Sequence, residues 1–246
     1  MNSELRTPHS ALSIIVPVLN EAAQIVETLR SLERFAESCE IIVVDGGSRD
    51  ATVTLARGFG WAHVVEFGQA QRAAQMNAGA AVACGEMLLF LHADVSLPRD
   101  FIAAIQTALR DALPDSLNDK RCVGGCFAFG FPADVSRALK VYAHGINWRT
   151  RWGWNATGDQ ALWVRRAVFE ELGGFPLVPI MEDLEFFQSL KQLGRVASLP
   201  QRVTVSPRRW QKHGLVRTAL LMYALRFGHW LGISSAALKR FFLEVR

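Results

Sequence analysis

In the first ninety positions the apolar residues gather into short unbroken runs, separated by polar and helix-periodic stretches. Leu12–Val18 (LSIIVPV), the EIIVVDGG segment from Glu40, residues 62–67 (AHVVEF) and residues 87–91 (MLLFL) hardly alternate. Runs of this kind predict strands buried on both faces. Helical spacing fills the gaps. Residues 21–36 place Ile25, Leu29, Leu32 and Phe35 on one stripe, with Asn20 as the expected N-cap. Two further helices are expected at 51–58, capped by Ser48 or Asp50, and at 71–85, ending on Gly85. Strands separated by helices predict an α/β chain: a doubly wound, mostly parallel sheet with helices on both faces. Such sheets bind ligands beyond the carboxyl ends of their strands, where the strand order switches. Asp45 ends the second run and Asp94 follows the fourth, so both carboxylates are expected on one rim. An Asp after a strand often serves as a local cap. Two on the same rim favour a ligand.

The second half is less regular. After Gly125, residues 121–131 alternate, with Phe127, Phe129 and Phe131 together, predicting a strand with one buried face. A helix at 134–148, a loop at 149–160, a strand at 161–164 and a glycine-stopped helix at 165–174 follow. Residues 182–194 carry a stripe of Leu184, Phe187, Leu190 and Leu193, and 195–207 predict a strand pair or one bent strand. The chain is expected to divide into a domain over 1–205 and a basic amphipathic helical tail over 206–246. Arg226 and His229 interrupt the tail's apolar stretch, which argues against a membrane span. The tail is expected to pack on the domain or to lie on a membrane surface.

Half of the 246 residues are apolar and 20% are charged, enough for one full core and unlike a disordered chain. The polar start MNSELRTPHSA has neither the basic region nor the cleavage site of a secretory leader, so a cytoplasmic protein is expected, with the inner face of the membrane as its alternative station. Cys39, Cys84, Cys122 and Cys126 read as reduced structural thiols, since no second metal-type pair accompanies Cys122 and Cys126. Charge is uneven. Residues 202–246 hold nine Lys/Arg against one acid, Glu244, leaving this segment at +8 and residues 1–201 at −4 of the net +4. That asymmetry points to phosphates or an anionic surface, or simply to a solvated helix face. Of the basic groove with aromatic partners that nucleic acid needs, the tail has only a fragment.

Glu182–Asp183 open a helix, where acids favour the macrodipole. The approach LGGFPLVPIM is stiffened by a Gly-Gly turn and two prolines, and a carboxylate held there can act as a general base if it faces the crevice. Trp148, Trp152 and Trp154 cluster in NWRTRWGWN and offer faces for a sugar ring or an apolar acceptor, or form a core or interface patch.

Six segments in order then stand as SIIVPVLNEA (13–22), IIVVDGGSRDAT (41–52), QRAAQMNAGA (71–80), LLFLHAD (88–94), GDQALWVRR (158–166) and GGFP with MEDLEF (173–187). Over roughly residues 12–205 this set resembles a family 2 glycosyltransferase of the GT-A fold. The combination of LHAD, QRAAQMNAGA and GDQALWVRR further resembles a bacterial subgroup associated with arsenosugar and radical-SAM gene clusters. The resemblance implies that Pro17, Asn20 and Glu21 contact the nucleotide and that Asp45 contacts its base or ribose. It implies a divalent metal, Mn²⁺ or Mg²⁺, on Asp94, and Asp183, beside Glu182, as catalytic base. The family's Asp-x-Asp is here His92-Ala93-Asp94, so His92 contacts nucleotide or metal or fills the space. Arg72 is a candidate for the diphosphate charge, and Trp154, Asp159 and Gln160 for the acceptor side. SPRRWQKHG (206–214) lacks the leading Gln of the processive synthases' Q-x-x-R-W segment, but Arg208, Arg209 and Trp210 can still close over the site.

The implied activity is inverting, metal-dependent transfer of a sugar from a nucleotide-diphosphate donor, UDP-sugar favoured, to a small-molecule or lipid-linked hydroxyl acceptor. Nucleic acid is not an expected partner, and peripheral membrane contact through the tail is. The alternative is a catalytically degenerate nucleotide-binding or membrane-associated scaffold of the same fold. PVLNEA has no glycine after the first strand, which disfavours nucleotidyl transfer and nicotinamide chemistry.

Overall fold

The computed structural model describes residues 11–110, 121–152 and 155–245. The chain runs β1 (Leu12–Val18), α1 (Ala22–Leu32), β2 (Glu40–Asp45), α2 (Thr52–Arg57), β3 (Ala62–Glu66), α3 (Arg72–Val82), β4 (Met87–Phe90), β5 (Val95–Ser96) and α4 (Phe101–Arg110). It continues with β6 (Cys122–Gly130), α5 (Arg137–Arg151), β7 (Leu162–Arg165), α6 (Arg166–Glu171), α7 (Glu182–Leu193), β8 (Arg195–Val205), α8 (Arg208–His213), α9 (Leu215–Trp230) and α10 (Ser235–Val245). One sheet takes the order β3-β2-β1-β4-β7-β6-β8-β5. Strands β1 to β4 are mutually parallel where they pair, β6 runs parallel to β8, and β7 is antiparallel to both β4 and β6.

The unbroken apolar runs follow from this layering. Leu12, Ile14, Val16 and Val18 of β1 join one core, while Ile15 joins the core on the opposite face. In β4, Met87 and Leu89 face the first core and Leu88 and Phe90 the second. A strand covered on both sides has no solvent face to make polar. The same reason corrects the reading of β6. Phe127 and Phe129 are buried as expected, but Cys126 is buried on the other face, in the core that holds Phe186, Phe187 and Leu190 of α7. The bent-strand alternative holds for β8, a single strand of 11 residues irregularly registered with β6. Strand β5 and helix α4 carry no motif and were not anticipated.

Asn20 does not cap α1. Its backbone is left-handed (φ 55°) and its Oδ1 accepts from the Arg49 amide at 2.8 Å. The loop after β2 caps α1 instead: Thr52 Oγ1 accepts from the Glu21 amide (2.8 Å) and Asp50 Oδ2 from the Ala22 amide (3.2 Å). The two loops that frame the crevice are thereby tied together. The basic segment after 206 forms three helices, interrupted at Gly214 and Gly232, both with φ of 80°. Trp210 seats it on the domain, 4.8 Å from the Phe131 ring and 6.1 Å from the Phe129 ring. All four cysteines are free thiols, three of them buried.

Candidate active site

The strand order departs from β1 in both directions, towards β2 and towards β4, and the crevice opens at this switch. Pro17 is buried in β1, while Asn20 and the half-buried Glu21 follow it onto the rim. Asp45 ends β2 and is 3% exposed; its carboxylate accepts from the Gly47 amide (2.8 Å) and the Ser48 amide (2.9 Å). It therefore holds the turn that reaches back to Asn20 and Glu21. Gln75 of α3, missed in the sequence, performs a similar service. Its amide nitrogen donates to Val18 O (2.8 Å) and Val44 O (2.9 Å), clamping the carboxyl ends of β1 and β2. The only signal for it is a glutamine in the middle of a small-residue helix.

A cavity of about 280 Å³ lies next to this rim, and Pro17, Asn20, Glu21 and Asp45 are not part of its lining. Arg72, His92, Asp94, Asp159, Glu182 and Asp183 all line it, so the structure brings together residues from α3, the end of β4, the 158–160 turn and α7. Asp94 makes no side-chain hydrogen bond or ion pair among the described residues, and it sits close enough to Glu21 to raise that group's pKa, second only to the effect of burial. His92 is pushed well below its ordinary pKa, by burial first and then by Arg72 and Arg209, so its ring is neutral at physiological pH. A Cβ on Gly158 would stand 2.6 Å from His92 Nε2, which means the ring lies directly on this glycine.

Gly158 also donates its amide to Asp183 Oδ2 at 2.6 Å, and the Leu184 amide binds Asp183 Oδ1 at 2.8 Å. Two backbone donors thus fix the carboxylate, leaving the remaining lone pairs of each oxygen for a substrate. Glu182 is buried and faces Arg72, with 3.7 Å between Nη1 and Oε1. Burial, then the neighbouring Asp183, raises its pKa, and Arg72 opposes them. Arg72 itself stays half-exposed and able to meet a phosphate. The stiff approach to α7 is anchored by Asn77, whose amide exchanges two hydrogen bonds with the Phe175 backbone (2.9 and 2.8 Å). Met181, the residue before α7, is left-handed at φ 70°, turning the helix start into the cavity.

Of the residues expected on the acceptor side, Asp159 lines the cavity and accepts from the Thr157 hydroxyl. Burial raises its pKa most, the Thr157 bond opposes, and Asp183 adds to the rise. Gln160 is turned inward: it donates to Phe127 O (3.1 Å) and accepts from the Thr157 amide (3.2 Å) and the Thr150 hydroxyl (3.2 Å). It holds the 157–160 turn rather than lining the cavity. Trp154 lies outside the described residues, and Trp148 and Trp152 are exposed at the end of α5, away from the cavity wall. The far wall comes from α5 and the basic tail: Tyr142, Ile146, Arg149, Arg209, Trp210, Leu225 and Arg226. Among these, Arg149 and Arg226 were not foreseen as site residues.

Among the described residues no group of three or more His, Cys, Asp or Glu side chains could hold a metal. No helix among them is long and apolar enough to cross a membrane.

Similarity to known proteins agrees with this geometry. The chain is 29% identical over 176 residues to the glycosyltransferase AglE of Haloferax volcanii, covering 67% of this chain and 56% of that one. It is 31% identical over 186 residues to a PGL/p-HBAD biosynthesis glycosyltransferase of Mycobacterium tuberculosis, covering 71% and 67%. It therefore spans between about half and two thirds of the length of these relatives. Among solved structures, the mannosyltransferase PcManGT of Pyrobaculum calidifontis, in complex with GDP-Man and Mn²⁺, superposes with a TM-score of 0.60 at 22% identity over 80% of this chain and 57% of its own. Residues 1–349 of S. aureus TarS, in complex with UDP-GlcNAc, give 0.58 at 17% identity over 79% and 58%. Both share the GT-A fold with this chain. The glycosyl transferase family 2 model matches residues 13–172, well over half of the sequence, and the chain belongs to that family.

Proposed function

We propose that this protein is an inverting, metal-dependent glycosyltransferase that moves a sugar from a nucleotide-diphosphate donor to an acceptor hydroxyl. The observation that carries the reading is the convergence of Asp94, Arg72 and the amide-held Asp183 on one cavity at the strand switch. The nucleotide would lie along Pro17, Asn20, Glu21 and Asp45, with its diphosphate towards Asp94 and Arg72. Asp94 suits a hard divalent cation such as Mn²⁺ or Mg²⁺, because its oxygens have no competing partner among the described residues and phosphate oxygens complete such a shell. The neutral His92 beside it adds no repelling charge. Bound there, the metal supplies positive charge to the diphosphate leaving group. Asp183 accepts the proton of the attacking hydroxyl, and a single displacement inverts the anomeric carbon. Glu182, paired with Arg72, positions that cation rather than the acceptor.

Neighbours of the same fold bind GDP-Man and UDP-GlcNAc, which supports a nucleotide-sugar without choosing its base. The motifs keep the subgroup found near arsenosugar and radical-SAM genes as our placement within the family. We also propose peripheral contact of α9 with an anionic membrane surface. Val216, Leu220, Tyr223, Phe227 and Trp230 recur every three or four residues on α9 and are all exposed, within a segment rich in Lys and Arg.

Calorimetric titration of UDP and GDP, with and without Mn²⁺, tests the donor reading. Metal-dependent binding of one nucleotide is expected, lost in Asp94→Ala and retained in Asp183→Asn. Asp183→Asn should lower turnover about 10²-fold or more. Absence of binding of either nucleotide under every metal condition would return the scaffold reading.

A further inference from the structure

Two sets of charges meet at Asp183. On the donor side, Glu21 feels Asp94, Arg208, Asp50 and Arg72, and Glu182 feels Arg72. On the opposite side, Arg226 of α9 feels Arg149 of α5, then Asp183, Asp159 and Tyr223. Arg149 and Arg226 both line the cavity.

These two arginines have buried hydrogen-bonding capacity that nothing among the described residues uses. Arg149 Nε and Arg226 Nη1 are shielded from solvent and have no hydrogen-bond partner among the described residues. Neither residue forms an ion pair among the described residues. Two guanidinium groups placed near one another repel, and a buried N–H without an acceptor is unfavourable. Burial, with Arg149 beside it, brings Arg226 down to about 10, so it remains charged at neutral pH. A planar fork of donors matches a carboxylate or phosphate bidentately. Beside the pair stand Tyr142, Ile146, Met222 and Leu225, which give the wall an apolar half.

We infer that Arg149 and Arg226 form an anion-binding subsite for the acceptor, which carries a phosphate or carboxylate next to an apolar portion. The inference rests on the glycosyltransferase reading and names its acceptor class. The anion anchors the acceptor on the tail side of the cavity, with a hydroxyl free to turn towards Asp183. It also explains why the basic tail folds back onto the domain: α9 completes the acceptor wall.

The test uses full-length protein saturated with Mn²⁺ and whichever of UDP or GDP binds. Geranyl phosphate, geranic acid, geraniol and inorganic phosphate are titrated in turn. At least one of the two geranyl anions should bind about 10-fold or more tightly than geraniol, a preference typical of a charge-assisted pair. The stronger of the two identifies phosphate or carboxylate as the anchor. Arg149→Gln and Arg226→Gln should each abolish most of that preference while nucleotide binding stays within about twofold. Arg226→Lys, which keeps the charge, should restore part of it, showing that a folded variant and not a collapsed one is being read. Geraniol binding as tightly as both anions would overturn the inference. So would an unchanged preference in both Gln variants, or weakened nucleotide binding in them, which would assign the arginines to the donor. Inorganic phosphate binding as tightly as geranyl phosphate would remove the apolar half of the subsite. Failure of the wild type to bind any nucleotide sinks the glycosyltransferase reading instead, so the two failures are separable.

Discussion

Asp159 shows how a single side chain records the character of the cavity. Burial and the nearby Asp183 raise its pKa, so ionisation of this group opposes folding. Its stabilising contribution is complete below the ordinary carboxylate range and is lost as pH rises through the raised folded value. Asp159→Asn removes the penalty and keeps an oxygen for the Thr157 hydroxyl. Thermal melts should show the variant more stable than wild type at about pH 8, with the gap closing below about pH 4, where wild-type Asp159 is protonated too. A gap independent of pH would mean that the carboxylate is not strained by its surroundings. Gly158 is the complementary case. Its missing side chain lets the His92 ring and the Asp183 carboxylate meet on one backbone unit. Its motif, GDQALWVRR, was visible in the sequence, whereas the His92 ring against it was not, because 66 positions separate the two residues.

At the scale of elements, α3 is the helix that binds the two halves of the site. Its Arg72 pairs with Glu182, its Gln75 clamps β1 and β2, and its Asn77 holds the turn before α7. Close approach makes this possible. A Cβ on Gly79 would stand 2.5 Å from Ile15 Cγ2 and 2.9 Å from Val44 Cγ2, so α3 rests directly on the sheet. Gly79→Ala should destabilise the protein by about 1–3 kcal/mol through overpacking, despite the better helix propensity of alanine. Urea denaturation measures it, and a stability gain would show that α3 can lift without cost. Arg166 acts in the same sense from the start of α6, donating to Gly85 O (2.8 Å) and Ala80 O (3.2 Å) at the end of α3. The family motifs thus mix residues that face the cavity with residues that hold helices in place.

For the whole molecule the question is what the exposed stripe of α9 meets. Trp230 is 77% exposed and Val216 71%, and the ring of Phe227, itself exposed, stacks 5.7 Å from that of Trp230. Large aromatic groups beside basic residues suit the headgroup layer of an anionic bilayer. Co-sedimentation with vesicles containing phosphatidylglycerol is expected, weakening about severalfold between low and physiological salt. Phe227→Ala with Trp230→Ala should lower it further without altering nucleotide binding. Equal sedimentation with neutral phosphatidylcholine vesicles would remove the electrostatic part of the proposal, and none with either would leave the stripe for another partner. A membrane contact at α9 and an amphiphilic anion at Arg226 would place the acceptor's entrance on the same helix.

The sequence by itself determined the α/β class, the two-faced burial of β1, β2 and β4, and the identity of the rim carboxylates. Those features depend on local periodicity and on residues that end a strand, which are written in consecutive positions. It misjudged β6, because one alternating segment cannot show whether its second face will be covered by α7. Tertiary structure decided that Asn20 would tie loops together instead of capping α1, that Gln160 would turn inward, and that Asp183 would take its second amide from Gly158. It also decided that Arg149 and Arg226, 77 residues apart, would share a wall. Helical periodicity assigns a side chain to a face of its own helix, but the partner of that face is set by how the helices pack. For these arginines that packing, and the donors it buries, is what sets the proposed subsite apart from a solvated charge.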